Sequence, residues 1–534
     1  MNTTEPTHYL FATSARSIQS YALAGNKLRD MIGASALIEG LACSGTNSLL
    51  DRTLKATCNS GSEPVFARRQ GGSIAILFED EGDCHRFASA WSTATDVHVP
   101  GLQVDSVTVP LKSGLRAALE KAHEALTEER NRLAPELPAA SPLAERSGRT
   151  GFPVAEVRRY EDEDETLDLR QVRKRQSAAT DRNGFLEKLL PDNLKNPFSP
   201  ESWPVEFDEI AGQGERSYVA LLHADGNSLG EIVRDLGGSL EGKPPEEGAR
   251  TLLAFSDAIE ASTQEAVKST LRELSENHWS EIENQDRPYP FRPIVCAGDD
   301  FTAMLRAEDG IEFAQSFLRL FEETSRMRFA KLREEGLDLP THLVAAAGIA
   351  YVKPHFPFHL AYGLCESLCK EAKRKTNRKA AALAFHRVTT SSTEEYEQAL
   401  QREYRFGDRL LTMNPYLAGS DSIEGLPTLT QLRRYRETGR KLPRGALRET
   451  AREATISREL AERRMERAKD VAETEAWSAF ENAWRAFPGK ETDSLIWKEV
   501  ADEPGEFRTP LLDALDLDAL ENSRTKTTHS KEDQ

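Results

Sequence analysis

Two glycine-centred hairpins constrain the fold of this chain more than any other feature. VFARRQGGSIAILFED (65–80) and RPIVCAGDDFTAMLRA (292–307) each place two β-rich runs around a tight turn, at Gly71-Gly72 and at Gly298-Asp299-Asp300. Each is flanked alike. Before the first lie a short strand, HYLFATSA (8–15), and apolar residues at helical spacing (Ile18, Leu23, Leu28, Ile32, Leu37); after it come a helical stretch over 85–95 and a strand over 102–109. Before the second, SYVALLHADG (217–226) reads as a strand that empties into a turn, followed by a helix from Leu229 and a longer one over 247–276. After it follow a helix over 311–333, the strand HLVAAAGIAYV (342–352), a helix over 358–373 and the strand AAALAFHRV (380–388). Both stretches carry the order β-α-β-β-α-β of a ferredoxin-like unit, as in a structural duplication.

A chain of 534 residues also exceeds what one hydrophobic core sustains, roughly 250 to 300 residues. The fold class expected is α+β, with two ferredoxin-like palm domains and a C-terminal helical domain. The boundaries are a degenerate palm over 1–125, a linker or irregular insert over 126–205, a palm with the DGN and AGDD motifs over 206–395, and helices over 396–505 broken at Pro415, Pro427 and Pro443. The insert is rich in proline and carries an acidic run (161–165) and a basic one (173–175); the tail over 506–534, polar from 523 on, is expected to be disordered.

Composition removes several function classes. A net charge of −18 argues against attraction of nucleic acid to the whole surface, because displacing phosphate counterions needs local positive charge. One segment, 431–469, holds 13 Lys/Arg against 6 Asp/Glu, and is either a contact for RNA or a solvated helix face. No run reaches the roughly 18 apolar residues of a membrane span, and the N-terminus lacks a basic start followed by an apolar stretch, which predicts no membrane association and a cytoplasmic location. The six cysteines form no CxxC pair, so no disulfide framework or zinc ribbon is indicated, and Cys365 with Cys369 fits a buried helix face. A GxxxxGK[ST] loop is absent, which excludes a P-loop ATPase; His355 and His359 straddle Pro357 and read as structural or surface residues.

The chemistry concentrates on three acids. Asp225 ends one strand, and Asp299 with Asp300 occupies the turn of the following hairpin, 74 residues on, positions that neighbouring strands bring together. Two divalent ions, Mg²⁺ or Mn²⁺, held about 3.5 to 4 Å apart need bridging carboxylates of this kind, and such ions offset the charge of a nucleoside triphosphate. Gly226 lets backbone approach a phosphate, Gly298 permits a tight turn, and the helix from Leu229 aims amides at a phosphate. Asn227 and Ser228 are candidates for base or ribose, and Lys373 for the triphosphate. The plainer account is ordinary turn chemistry at Asp-Gly and Gly-Asp-Asp, with Lys373 merely complementing a helix dipole.

The motifs ADGNSLG, AGDD and AAAGIAYVKPHFPFHLAYGLCESLCKEAKRK resemble the second palm of the large polymerase/cyclase subunit of type III CRISPR effector complexes, and TSARSIQSYALAGNKLRDMIGASALIE is similar to the opening of its first palm. The resemblance covers about 8–110 and 215–390, and more distantly takes in GGDEF diguanylate cyclases and palm polymerases. It implies conversion of ATP to cyclic oligoadenylate triggered by foreign RNA, with other CRISPR effector subunits as partners, and with Asp225 as the first metal-binding acid and Asp299-Asp300 as the acidic pair of GGDD. The sequence departs from the pattern in four respects. Ala297 replaces the first glycine of GGDD; the first hairpin, Gly71-Gly72-Ser73-Ile74, has no carboxylate; and no His-Asp dipeptide marks the family's nuclease domain, so DNA cleavage is not expected. Where relatives place zinc cysteines this chain has Ala144 and Ser147, so zinc is not expected either. Two further readings stay open: a catalytically silent nucleotide- or RNA-binding scaffold subunit, and a diguanylate-type cyclase.

Overall fold

The computed structural model describes residues 8–25, 27–42, 48–59, 61–132, 143–160, 163–180, 186, 188–192, 194, 203–211, 218–238, 240–279, 288–389, 395–419, 421–490, 493–500 and 505–521. The first unit runs β1 (Tyr9–Ala15), α1 (Ile18–Leu23), α2 (Leu28–Ala42), α3 (Leu49–Thr57), β2 (Val65–Gln70), β3 (Ser73–Phe78), α4 (Glu81–His98) and β4 (Val104–Pro110). Its antiparallel sheet has the order β2-β3-β1-β4, the ferredoxin-like permutation. Strand alternation sends Phe11, Ile74, Ile76 and Phe78 to one face, where they meet Phe87 and Trp91 of α4. Leu10, Ala75 and Leu77 go to the other, covered by α5 (Leu115–Asn131). The helical stretch expected after β1 is divided at Gly25, whose φ of +113° ends α1 before α2 begins.

The segment expected to be irregular is partly ordered. β5 (Val154–Tyr160) and β6 (Glu163–Asp168) form an antiparallel hairpin, and α6 (Leu169–Thr180) packs on α2. Its charge runs conceal this order because Glu165, Lys174 and Arg175 are bound inside the fold. The Arg175 guanidinium binds Asp30 at 2.7 Å and Glu165 at 2.5 Å, while Lys174, 1% exposed, donates to the Tyr21 carbonyl. A buried ion pair holds only where both partners are satisfied, so the basic run behaves as core rather than as linker.

The second unit comprises α7 (Phe207–Ala211), β7 (Val219–Gly226), α8 (Leu229–Gly238), α9 (Pro245–His278), β8 (Phe291–Ala297), β9 (Asp300–Arg306), α10 (Gly310–Glu334), β10 (Ala345–Val352), α11 (Phe358–Lys375) and β11 (Ala382–Arg387). Four of its strands lie in the order β10-β7-β9-β8, the permutation of the first unit, with β11 added parallel to β10 and the strand Tyr416–Leu417 outside it. The duplication read from sequence is therefore present in topology. Ala220, Leu222, Phe301 and Ala303 face α9 and α10, where Phe301 stacks on Phe313 and Phe317 with centroids 5.7 and 5.2 Å apart. Val219 and Leu221 face α11. That helix sits unusually close to the sheet: a Cβ on Gly348 would lie 2.0 Å from the Cys365 carbonyl oxygen. Cys365 and Cys369 are buried on this face and donate to Leu221 O and Ala346 O at 3.0 and 3.3 Å, the helix-face role expected of them. His355 and His359 are exposed.

Beyond β11, helices Leu429–Gly439, Ala446–Ala454, Arg458–Val471 and Thr474–Arg485 accompany a small sheet of two-residue strands. The polar tail expected from 506 contains a helix, Leu511–Glu521, with Leu511, Ala514, Leu517 and Leu520 in the core. Its acids are anchored rather than solvated: Asp513 accepts from Thr412 Oγ1 at 2.7 Å and from Met413 N at 2.8 Å. The remainder of that tail, 522–534, lies outside the described residues. Part of the basic segment is also spent internally, since Arg433 binds Glu312 and Arg440 binds Asp518. Arg463 and Arg467 remain exposed. Among the described residues no helix is long and apolar enough to cross a membrane.

Candidate active site

The register of the second sheet assembles the acids. β7 and β9 pair antiparallel, ending at Ala224 opposite Phe301, so one step further Asp225 stands opposite Asp300 and Gly226 opposite Asp299. Side chains alternate, which puts His223 and Asp225 on the face covered by α11 together with Asp300 and Thr302. Gly298 takes a φ of +62°, the left-handed turn for which glycine is suited, and its carbonyl is fixed by Thr263 Oγ1 of α9 at 2.6 Å. Gly226 is required for a different reason: a Cβ there would lie 2.8 Å from Asp299 Oδ2 and 2.9 Å from Asp299 Cβ.

The site carries more negative charge than its surroundings neutralise. Lys373, buried at the end of the α11 stripe that contains Cys365 and Cys369, donates to Asp225 Oδ2 at 2.6 Å and to the Gly226 carbonyl at 2.7 Å. Burial, the Asp225 charge and a hydrogen bond to Asp225 push the Asp299 carboxyl up to about 7. Burial and the Asp225 charge do the same for Asp300, also to about 7. Asp300 Oδ2 accepts from Gln19 of α1 at 3.3 Å, and Oδ1 lies 3.4 Å from His223 Nδ1. His223 in turn meets Thr302 Oγ1 at 3.1 Å, and burial lowers its imidazole to about 4.

Asp225 and Asp299 thus touch, whereas Asp300 is turned toward Gln19 and His223. Among the described residues the one trio of His, Cys, Asp or Glu ligand atoms lying within 4.8 Å of one another is His8, Glu79 and Glu246, so the three aspartates do not form a closed cage. They fit a hard divalent cation nonetheless. The donors are carboxylate oxygens, Asp300 Oδ1 is buried with no hydrogen-bond partner, and burial with the Asp225 charge raises Asp299 and Asp300 to about 7.

The remaining expected residues line the same end of the sheet. Asn227 is 2% exposed; its backbone N–H reaches Val344 O at 2.8 Å, and both atoms of its side-chain amide are buried without a partner. Ser228 adopts a φ of +58° and α8 starts at the next residue, four positions after Asp225. Two neighbours were not anticipated. His223 was legible as the residue one strand period before Asp225; Gln19 was not, being 281 residues from its partner. The first palm therefore contributes directly to the acid cluster, with Gln70 also 3.4 Å from where a Gly298 Cβ would be.

Residues 218–382, from β7 to the start of β11, match the sequence family described as Cas10/Cmr2, second palm domain. Among solved structures, Csm1 from T. onnurineus superposes with a TM-score of 0.50 at 14% identity, over 97% of this chain and 69% of that one. An apo Csm1–Csm4 cassette gives 0.49 at 12% identity, over 96% and 69%. A Csm1–Csm4 cassette in complex with cA4 gives 0.43 at 12% identity, covering 75% of this chain and 58% of that one. The chain spans little more than half the length of that last structure, and likeness at such identities speaks to fold alone. No curated protein matches the chain.

Proposed function

We propose that this protein is a palm-type nucleotidyltransferase of CRISPR antiviral defence. In this reading it joins nucleoside triphosphates, ATP by the resemblance, into cyclic oligonucleotide signals as a subunit of an RNA-bound effector complex. The observation that carries the reading is the opposition of Asp225 and Asp300 across β7 and β9, with Asp299 against Gly226, inside the segment that matches a Cas10/Cmr2 palm.

Asp225, Asp299 and Asp300 would hold two Mg²⁺ or Mn²⁺ ions. When bound, these ions lower the pKa of an attacking ribose hydroxyl and offset the charge of the pyrophosphate leaving group. The chain's own residues do the rest. Gly226 and the first amides of α8 give phosphate oxygens close backbone donors. The unpartnered amide of Asn227 offers a donor and an acceptor to a base, and Ser228 a hydroxyl to base or ribose. Gln19 donates to Asp300 Oδ2 and helps orient that carboxylate.

Purified protein supplied with ATP, Mg²⁺ or Mn²⁺ and activating RNA should release pyrophosphate and form an oligonucleotide product. Asp225→Asn should abolish both. Binding of nucleotide and RNA without any turnover would instead support a silent scaffold.

A further inference from the structure

We propose that Lys373 is a resident counter-cation of the acid cluster, displaced when a divalent ion enters, and that this exchange makes metal and triphosphate bind as one unit. The inference rests on the metal-site reading above. The Lys373 ammonium lies 2.6 Å from Asp225 Oδ2 and 2.7 Å from the Gly226 carbonyl, and its side chain is 11% exposed. It arrives there as the last member of the buried α11 stripe, one turn after Cys369, so packing aims it at the strand end. Among the described residues no other lysine or arginine is ion-paired with Asp225, Asp299 or Asp300.

An ammonium and a divalent ion compete for Asp225 in this arrangement. Charges of +1 and +2 bonded to one carboxylate would stand about 4 Å apart and repel strongly in a half-buried site. Entry of the ion therefore expels Lys373 from Asp225, and the expelled ammonium needs a new anion. A triphosphate arriving with the ion supplies it within reach of the flexible four-carbon stem. Each ligand then removes part of the penalty the other would meet. Linkage makes the effect reciprocal: nucleotide tightens metal, and metal tightens nucleotide by the same factor. Without nucleotide the lysine weakens the hold of the cluster on bare cations.

The test is Mn²⁺ binding measured by the electron paramagnetic resonance of free Mn²⁺, with and without a non-hydrolysable ATP analogue, so that no turnover is needed. Lys373→Met should bind Mn²⁺ alone about tenfold tighter than the wild type, and the analogue should add less to that affinity than it adds in the wild type. Lys373→Gln should behave alike, and serves if the methionine variant fails to fold. Asp299→Ala should lose the site in either background. Both lysine variants binding Mn²⁺ alone no tighter than wild type, while Asp299→Ala still weakens it, would overturn the role of Lys373 and leave the metal site standing. Mn²⁺ binding indifferent to Asp299→Ala would overturn both.

Discussion

Asp300→Asn should make the metal-free protein more stable at pH 8 while removing its response to Mn²⁺. The Asp300 carboxyl is raised from 3.8 to about 7 by burial and by the Asp225 charge. Below about pH 4 the group is protonated in both folded and unfolded chains and contributes no difference. Between pH 4 and 7 the unfolded chain releases its proton and the folded one keeps it, so stability falls as pH rises; above 7 the full penalty is present. Three pKa units correspond to about 4 kcal/mol. The carboxylate is 24% exposed, and solvent reaching it reduces this to about 2 kcal/mol. An asparagine carries no charge at any pH and escapes the penalty. Urea melts in EDTA should therefore show the variant about 2 kcal/mol more stable at pH 8, with the gap closing toward pH 4.5. Adding Mn²⁺ should raise the wild-type midpoint above that of the variant. A variant equally or less stable than wild type at pH 8, or a gap that does not change with pH, would refute the reasoning.

Gly226→Ala places a Cβ 2.8 Å from Asp299 Oδ2 and should lower ATP turnover by about 100-fold through displacement of Asp299, with thermal melts changing little. Gly348→Ala drives a Cβ to 2.0 Å from the Cys365 carbonyl and should cost about 3 kcal/mol in a urea melt, because backbone on both sides has to move. Reversing Arg463, Arg464 and Arg467 to Glu should weaken RNA or subunit association and flatten its dependence on salt, read by a binding titration at several ionic strengths. An unchanged salt slope would return that helix to a solvated face.

The two palms were legible because each is punctuated by a glycine-centred hairpin, and strand–helix order between such turns leaves one ferredoxin-like arrangement. That neighbouring strands bring Asp225 and the Asp299-Asp300 turn together was legible; the register that sets Asp225 opposite Asp300 was not. What escaped the sequence was charge serving as core. The acidic run near 163 is a strand whose Glu165 binds Arg175, and Lys174 is buried on a backbone carbonyl, so a segment with the composition of a linker folds against α2. The C-terminal segment expected to be disordered holds Asp513 and Asp516 in contact with Thr412 and Arg387. Gln19 escaped for another reason: a contact between separate palms leaves no local periodicity to read.

The central claim, that Asp225, Asp299 and Asp300 act as one metal-dependent unit on a nucleoside triphosphate, meets its most direct test in pyrophosphate release. Wild type, Asp225→Asn, the Asp299→Ala/Asp300→Ala pair and the triple variant would be compared with ATP, Mn²⁺ and activating RNA. Groups that act together are not additive, so each variant should be inactive, and the triple scarcely worse than either of the others. Turnover of ATP at the wild-type rate by Asp225→Asn or by the double variant would contradict the account.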